Sequence, residues 1–133
     1  MADTTAGGLV RRFYELRREG KPDLLRPLLA VDVVWREPTV GAHMGELIGP
    51  DAVIDMIGRA LATTAGSLSL EVSQLIETAT HCAAVIDWSA RKPGGLVRGR
   101  ELAVFGIRGG RIASAQFLAE NLADDHAFWG EPA

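Results

Sequence analysis

Hydrophobic residues recur with helical spacing in the first half of the chain. Leu9, Phe13 and Leu16 follow one another at intervals of three or four residues, which is the period of one face of an α-helix. A Gly-Lys-Pro-Asp segment ends this helix, and Pro22 begins a second short helix that carries four leucines. A third helix is predicted to begin at Gly49 and to end near Gly66, because its apolar residues again keep to one side.

Shorter patterns that are typical of β-strands fill the rest of the chain. Residues 31–36 are apolar, largely β-branched and followed by Pro38, so they predict a strand, whereas the glycine-rich segment 39–49 predicts a loop. Four more strands are predicted from alternating apolar and polar residues, over 68–73, 82–91, 97–108 and 111–122. The last three are joined by glycine-containing turns that are short enough to require antiparallel neighbours.

Three helices followed by a series of strands predict an α+β fold. We expect a single domain over residues 1–133, in which three N-terminal helices pack on a strongly curved antiparallel β-sheet that forms a cone. A closing turn of helix is expected over residues 124–129. The concave interior of a cone is a common place for a small-molecule site.

Composition narrows the classes of partner. The chain has 14 Lys and Arg against 17 Asp and Glu, a formal net charge of −3, which predicts no binding of nucleic acid or of an anionic membrane. A single cysteine, Cys82, excludes a disulfide within the chain and suits a reducing compartment. The first eight residues do not resemble a secretory signal, and no apolar run is long enough to span a membrane, so we expect a cytoplasmic protein.

One candidate for acid–base chemistry lies at the end of the first predicted strand. Alternation places Trp35 and Glu37 on the same side of that strand. A carboxylate beside a tryptophan in an apolar cavity loses hydration, which would raise its pKa and make Glu37 a general base near neutral pH. The alternative is a carboxylate that caps the loop or pairs with Arg36 or another nearby arginine.

A second candidate is Asp87, which lies in the middle of an otherwise apolar strand, where an aspartate needs a partner. An ion pair with Arg98 or Arg100 on the neighbouring strand would satisfy it, and this interpretation is slightly favoured. Glu101 shares its side of the strand with Ala103, Phe105 and Ile107, so it is expected on the inner face, near Asp87 or Arg91, or else at a solvated strand end.

The three histidines do not have the spacing of metal ligands, and no metal site is predicted. His43 lies in the loop predicted to pass over the cone, where it could contact a ligand as a proton donor. No nucleophilic serine or cysteine has a suitable base, so covalent catalysis is not expected, and no cofactor is predicted.

Several short motifs, in this order, resemble the nuclear transport factor 2-like superfamily, in particular its SnoaL-like and ketosteroid isomerase-like branch. The resemblance covers nearly the whole chain. Its motifs are Val10-Arg-Arg-Phe-Tyr14, Gly20-Lys-Pro-Asp23, Val34-Trp-Arg-Glu-Pro38, Gly49-Pro-Asp-Ala-Val53, Gly109-Gly-Arg-Ile112 and Phe128-Trp129. It implies a cystatin-like α+β barrel, a fold that hosts isomerases, cyclases, dehydratases, epoxide hydrolases and proteins that only bind.

The resemblance also assigns roles to residues. An acidic residue before a proline at the end of the first strand is the general base in ketosteroid isomerase-like members, and here it is Glu37. The oxyanion-hole tyrosine falls on Phe13, one residue from Tyr14, and the second oxyanion acid falls on Ala103. An aspartate required by the limonene epoxide hydrolase pattern falls on Phe117.

Strand register within the family further implies which side chains enter the cone. It places Asp87 on the concave side together with Val85, Ser89 and Arg91. The opposite, outer face would then carry Trp88, Gln116 and Leu118, and members of this superfamily commonly form homodimers through that face.

These observations favour a cofactor-independent enzyme that acts on an apolar, ring-bearing or polyketide-like molecule by isomerisation, cyclisation or dehydration. Glu37 would be the base, with Asp87, Tyr14 or His43 as proton donor. The pocket would be formed by Phe13, Trp35, His43, Glu101, Phe105 and Phe117. The alternatives are a non-catalytic ligand-binding or accessory module, and a dimerisation scaffold whose cavity is filled by its own side chains.

Overall fold

A computed structural model of the protein describes residues 5–37, 45–92 and 95–120. In these residues two α-helices, one 3-10 helix and six strands follow the chain. The helices are α1 (Ala6–Arg18), the 3-10 helix (Pro22–Leu28) and α2 (Pro50–Thr63). The strands are β1 (Leu29–Arg36), β2 (Glu46–Ile48), β3 (Ser69–Glu77), β4 (His81–Lys92), β5 (Gly95–Arg108) and β6 (Arg111–Ala119). The predicted closing helix lies outside the described residues.

The first helix begins at a side-chain cap. The Thr5 hydroxyl accepts a hydrogen bond from the backbone N–H of Gly8 at 2.9 Å, which satisfies one of the N–H groups that a helix start leaves unpaired. Leu9, Val10 and Phe13 then point to one side and are buried. The amphipathic pattern therefore forms the helix that the sequence predicts, and its apolar face packs on the sheet.

The six strands form one curved, unclosed sheet in the order β2-β1-β6-β5-β4-β3. The α+β fold is confirmed, but the sheet is mixed rather than antiparallel, because β1 pairs with β6 in parallel. Residues 46–48, predicted as part of a loop, form the edge strand β2. Register shifts interrupt three of the strand pairs, at Val72/Gln74, Gly106/Ile107 and Leu29/Val34, and such bulges bend and twist a sheet.

The β5–β6 hairpin shows how local sequence sets register. Arg108 pairs with Arg111, so Gly109 and Gly110 alone form the turn. Both have positive φ, 61° and 75°, as the two central residues of a type I′ turn require. This two-residue turn determines which residues of β5 and β6 lie side by side.

The two faces of the sheet have different surroundings. The inner face packs against the helices and carries the core, including Val33, Trp35, Phe105 and Phe117, which are buried. The outer face is exposed at positions such as Ile76, Gln116 and Leu118. None of the helices in the described part of the chain has the length and hydrophobicity of a membrane span.

Residues of β4 lie on the opposite faces from those predicted. Cys82, Ala84, Ile86, Trp88 and Ala90 are the buried set, so Trp88 belongs to the inner side and the prediction that it lies outside was wrong. Its indole packs with Ala90, Leu68, Leu70 and Val97 in a small apolar cluster. The outer placement of Gln116 and Leu118 is confirmed by their exposure.

Candidate functional site

The Glu37 carboxylate lies where β1 ends and is hydrogen-bonded to Trp35 on the same strand. The Trp35 indole Nε1–H donates to Glu37 Oε2 at 2.7 Å, as two residues on one side of a strand can. The backbone N–H of Glu37 donates to the Gly45 carbonyl at 2.8 Å. Arg36, on the other side of the strand, instead forms an ion pair with Glu46 at 3.0 Å. The shared side of Trp35 and Glu37 is thus confirmed.

Aromatic rings from four elements of the chain meet next to this carboxylate. They are Phe13 and Tyr14 from α1, Trp35 from β1, Phe105 from β5 and Phe117 from β6, and all are buried. Trp35 lies 4.9 Å from Phe117 and 5.6 Å from Phe13 between ring centroids. These distances are those of direct ring contact. The structure therefore brings the predicted pocket residues Phe13, Trp35, Phe105 and Phe117 together, but packs them against one another.

Tyr14 contributes the polar group of this cluster. Its side chain is 1% exposed, and among the described residues its hydroxyl has no hydrogen-bond partner. Burial raises the pKa of Tyr14 well above its ordinary value, and the nearby carboxylates of Glu101 and Glu37 raise it further. The phenol therefore stays neutral and able to donate a hydrogen bond at any physiological pH.

Glu101 reaches the same region from β5. It pairs with Ile86 on β4 and Ala119 on β6, and it shares its side of the strand with the buried Ala103 and Phe105. After burial, the charge of Glu101 contributes most to the raised pKa of Tyr14. The predicted inner position of Glu101 is confirmed, but Asp87 is not its neighbour on that face.

Asp87 lies on the outer face, so its predicted concave position was wrong. Arg100 Nε donates to Asp87 Oδ1 at 2.8 Å across the β4–β5 pair, and both side chains are about half exposed. This hydrogen bond holds the pKa of the Asp87 carboxyl below its ordinary value. The ion pair that the sequence favoured is confirmed, and Asp87 is remote from the Tyr14 hydroxyl because the sheet separates them.

Of the remaining sequence candidates, His43 lies outside the described residues, so its contact with a ligand stays a prediction. No group of three metal-ligating side chains occurs within the described ranges. A cleft of about 310 Å³ lies elsewhere, between the 3-10 helix and α2, with Ile54, Gly58 and Ala62 along one side; sequence analysis gave no sign of it, since these residues look like any helix face.

The indole hydrogen bond to Glu37 is the feature that sequence reasoning missed. The prediction placed Trp35 beside Glu37 only as an apolar side chain that reduces the hydration of the carboxylate. Alternation along the strand was a sufficient signal for contact, but not for which atom of the indole would face the carboxylate.

Comparison with known proteins gives the family and the fold. The SnoaL-like domain matches residues 10–115 of this chain. No curated protein sequence matches the chain significantly. Bal32a from a soil-derived mobile gene cassette has a TM-score of 0.86 at 20% identity, over 91% of this chain and 93% of that one.

Two further solved structures have the same fold at low identity. A putative SnoaL-like polyketide cyclase from Jannaschia has a TM-score of 0.76 at 12% identity, over 98% of this chain and 96% of that one. A hypothetical protein with a ketosteroid isomerase-like fold from Catenulispora acidiphila, in complex with trimethylamine, has a TM-score of 0.78 at 18% identity, over 96% of each chain. The domain match spans most of the chain, and the mixed curved sheet under its helices agrees with these structures. The protein belongs to the SnoaL-like domain family.

Proposed function

We propose that the protein is a cofactor-independent enzyme that transfers protons on a neutral, apolar, ring-bearing or polyketide-like molecule, in an isomerisation, cyclisation or dehydration. The observation that carries this proposal is the buried Tyr14 hydroxyl, which lacks a hydrogen-bond partner among the described residues. Leaving such a group unpaired costs about 1–3 kcal/mol. A ligand oxygen that accepts a hydrogen bond from Tyr14 would remove this cost. Binding of such a ligand would therefore explain why the hydroxyl is buried without a partner among the described residues.

The proposed chemistry uses Glu37 and Tyr14 as the two groups that would contact such a ligand. The Glu37 carboxylate takes a proton from a carbon next to a carbonyl, and the electron pair of the broken C–H bond moves onto the carbonyl oxygen. Tyr14 donates a hydrogen bond to that oxygen and stabilises its developing charge. Return of the proton from Glu37 to another carbon completes an isomerisation. In a cyclisation the enolate carbon forms a C–C bond to a second carbonyl carbon, the π electrons of that carbonyl move onto its oxygen, and this oxygen takes the proton from Glu37.

Three further observations support the substrate class. Rings of Phe13, Trp35, Phe105 and Phe117 offer apolar contact beside the polar pair. The charges of Glu101 and Glu37 both raise the pKa of Tyr14, and the same charges would disfavour an anionic ligand. A relative of this fold is itself named as a putative SnoaL-like polyketide cyclase.

Hydrogen exchange in D₂O tests the proposal without knowledge of the natural substrate. A panel of neutral cyclic ketones is incubated with the protein, and loss of the α-proton signal is followed by NMR. We expect catalysed exchange for some members, and a decrease of at least about a hundredfold in Glu37→Gln, the loss typical of a removed general base. Glu15→Gln, an exposed glutamate on α1, is the matched control. Exchange that survives in Glu37→Gln would reject Glu37 as the base.

The second candidate function is a non-catalytic ligand-binding or accessory module of the same fold. The feature that favours it is the residue type at the two positions where the resemblance puts oxyanion donors, because Phe13 and Ala103 have no side-chain group that donates a hydrogen bond. The mutual packing of the aromatic rings fits instead the dimerisation scaffold, whose cavity is filled by its own side chains. Binding of panel members, detected as changes in protein NMR signals without any α-proton exchange, would favour this second function.

We also propose that the protein forms a homodimer through the outer face of the sheet. An outer apolar patch supports this proposal, and it consists of Ile76, Ala83, Val85, Leu102, Val104 and Leu118. Cross-strand pairing brings these residues together, since Val85 faces Leu102 and Leu102 faces Leu118. Ile76 is 73% exposed and Leu118 is 51% exposed, and contiguous apolar surface is a sign of an interface. The patch is bordered by Asp87 and Arg100, whose opposite charges suit a two-fold axis.

The oligomeric state tests this surface directly. Light scattering after size exclusion is expected to give the mass of a dimer for the wild type and of a monomer for Leu118→Lys. Val31→Lys changes an exposed apolar residue outside the patch and is expected to leave the dimer intact. A monomeric wild type would reject the proposal.

A further inference from the structure

We propose that Trp35 is the positioning residue of the Glu37 carboxylate, a role that rests on the proposed function of Glu37 as general base. The starting observation is the 2.7 Å hydrogen bond from Trp35 Nε1 to Glu37 Oε2. An indole nitrogen can only donate, and the ionised carboxylate accepts this hydrogen bond more strongly than the neutral acid does. The distance is at the short end of the range for hydrogen bonds to an ionised group.

The donor itself is held in place. Trp35 is fully buried, and its ring contacts Phe13, Phe105 and Phe117. A ring packed on several sides cannot rotate to follow a mobile acceptor without disturbing its neighbours. The carboxylate must therefore adopt the orientation that the indole dictates.

The backbone on both sides of this hydrogen bond is also restrained. Trp35 lies in the interior of the sheet, paired with Leu47 on β2 and with Ala115 on β6. The backbone N–H of Glu37 donates a hydrogen bond to the Gly45 carbonyl. The backbone is therefore restrained as far as Glu37, the residue that carries the carboxylate. Donor and acceptor thus belong to one rigid element, which is the arrangement that keeps catalytic geometry accurate.

A purely structural role for the same contact makes a different prediction. A buried indole N–H needs an acceptor, but a neutral amide or carbonyl would satisfy it at a lower desolvation cost than a carboxylate. In that case the contact would stabilise the fold and would not select the ionised form of Glu37. In the positioning role, the indole stabilises the anion, which is the form that accepts a proton.

NMR titration of the intact protein separates the two roles. The carboxyl carbon of Glu37 and the indole N–H of Trp35 are followed against pH, with Glu37→Gln and Trp35→Phe used for assignment. We expect both signals in the wild type to change with one midpoint, and the indole change to vanish in Glu37→Gln. An indole signal that ignores the ionisation of Glu37 would overturn the proposal even if Trp35→Phe does not fold.

The folded Trp35→Phe variant adds a quantitative test. It keeps an aromatic ring and loses only the donor, so the Glu37 midpoint is expected to move to higher pH by about one unit, a tenfold change in acid dissociation. Trp88→Phe, in the separate cluster on β4, is the matched control and is expected to leave the midpoint unchanged. An unmoved midpoint in Trp35→Phe would overturn the positioning role.

The exchange assay keeps this inference distinct from the proposed function. If Glu37→Gln loses α-proton exchange while Trp35→Phe retains the wild-type rate and midpoint, the positioning role fails and the proposed function stands. If the coupled titration and the shift in Trp35→Phe are observed but the wild type exchanges no proton, Trp35 positions the carboxylate and the proposed function fails.

Discussion

Glu77 on β3 accepts a hydrogen bond from the backbone N–H of Gly7, a residue 70 positions earlier in the first turn of α1, at 2.8 Å. The carboxylate satisfies an N–H group that the helix leaves unpaired, and its charge complements the positive end of the helix dipole. Gly7 has no side chain to obstruct it: a Cβ there would lie 2.9 Å from the Glu77 carboxyl group and 2.8 Å from Leu75. This contact ties α1, which carries Phe13 and Tyr14, to the sheet.

Removing this cap is expected to destabilise the fold. Glu77→Ala should lower the free energy of unfolding by about 1 kcal/mol, the usual value of a helix N-terminal cap, and Glu77→Gln should lower it less because the amide oxygen can still accept. Denaturant unfolding measures both. Glu71→Ala, an exposed change on the same strand, is the control, and an equal loss in Glu71→Ala would contradict the capping role.

Tyr14→Phe is expected to separate stability from function. Removing a buried hydroxyl that has no partner among the described residues should leave the free energy of unfolding unchanged or raise it by about 1 kcal/mol. The same substitution should weaken ligand binding and slow α-proton exchange, because the donor to the ligand oxygen is lost. Denaturant unfolding measures the effect on stability, and the exchange assay measures the effect on proton transfer. A clear loss of stability would indicate that the hydroxyl has a structural partner.

The pH dependence of Tyr14 follows from its burial. Its pKa is raised above the ordinary value of 10.0 in the folded chain, so above about pH 10 the unfolded chain loses this proton first. The unfolded state therefore gains stability relative to the folded state as pH rises further. Because the chain has one tyrosine, tyrosinate absorbance reports Tyr14 alone. We expect it to appear only as the protein unfolds, and tyrosinate in a folded protein at pH near 10 would contradict the prediction.

Cys82 is expected to react slowly with thiol reagents. Burial on the inner face raises its pKa from 9.0 to about 11. At about pH 8 this lowers the thiolate fraction roughly a hundredfold, and the thiolate is the reactive form. The chain has no other cysteine, so the rate of labelling in native buffer measures this residue directly. Denatured protein is the reference, and a native rate similar to the denatured one would show that the thiol is accessible and unshifted.

The architecture could largely be predicted from residue periodicity. The three helices and the main strands follow local patterns, and glycines with positive φ define the β5–β6 turn. The pairing of β1 with β6 could not be predicted in this way. Strand β6 comes from the far end of the chain, and no short turn joins it to β1. No local sequence signal therefore indicates that the two strands run parallel.

The candidate site, like the fold, could be predicted from the sequence only in part. The common side of Trp35 and Glu37, and the inner position of Glu101, follow from alternation, because each glutamate shares its side of the strand with a large aromatic residue, Trp35 or Phe105. Strand β4 has apolar residues on both faces, so its alternation does not say which one is buried. Its pairing with β5 decides: Ile86 lies opposite Glu101, and Asp87 lies opposite Arg100.

The amino-acid sequence by itself determined the elements, the family resemblance and the residues with potential acid–base chemistry, because these depend on local spacing and residue type. Only the tertiary structure decided that Asp87 lies outside, that the aromatic rings contact one another and that the Tyr14 hydroxyl is buried without a hydrogen-bond partner among the described residues. These are relationships between distant segments. They depend on strand register and on the face of the sheet that the helices cover, and burial on that face raises the pKa of Tyr14 and of Cys82.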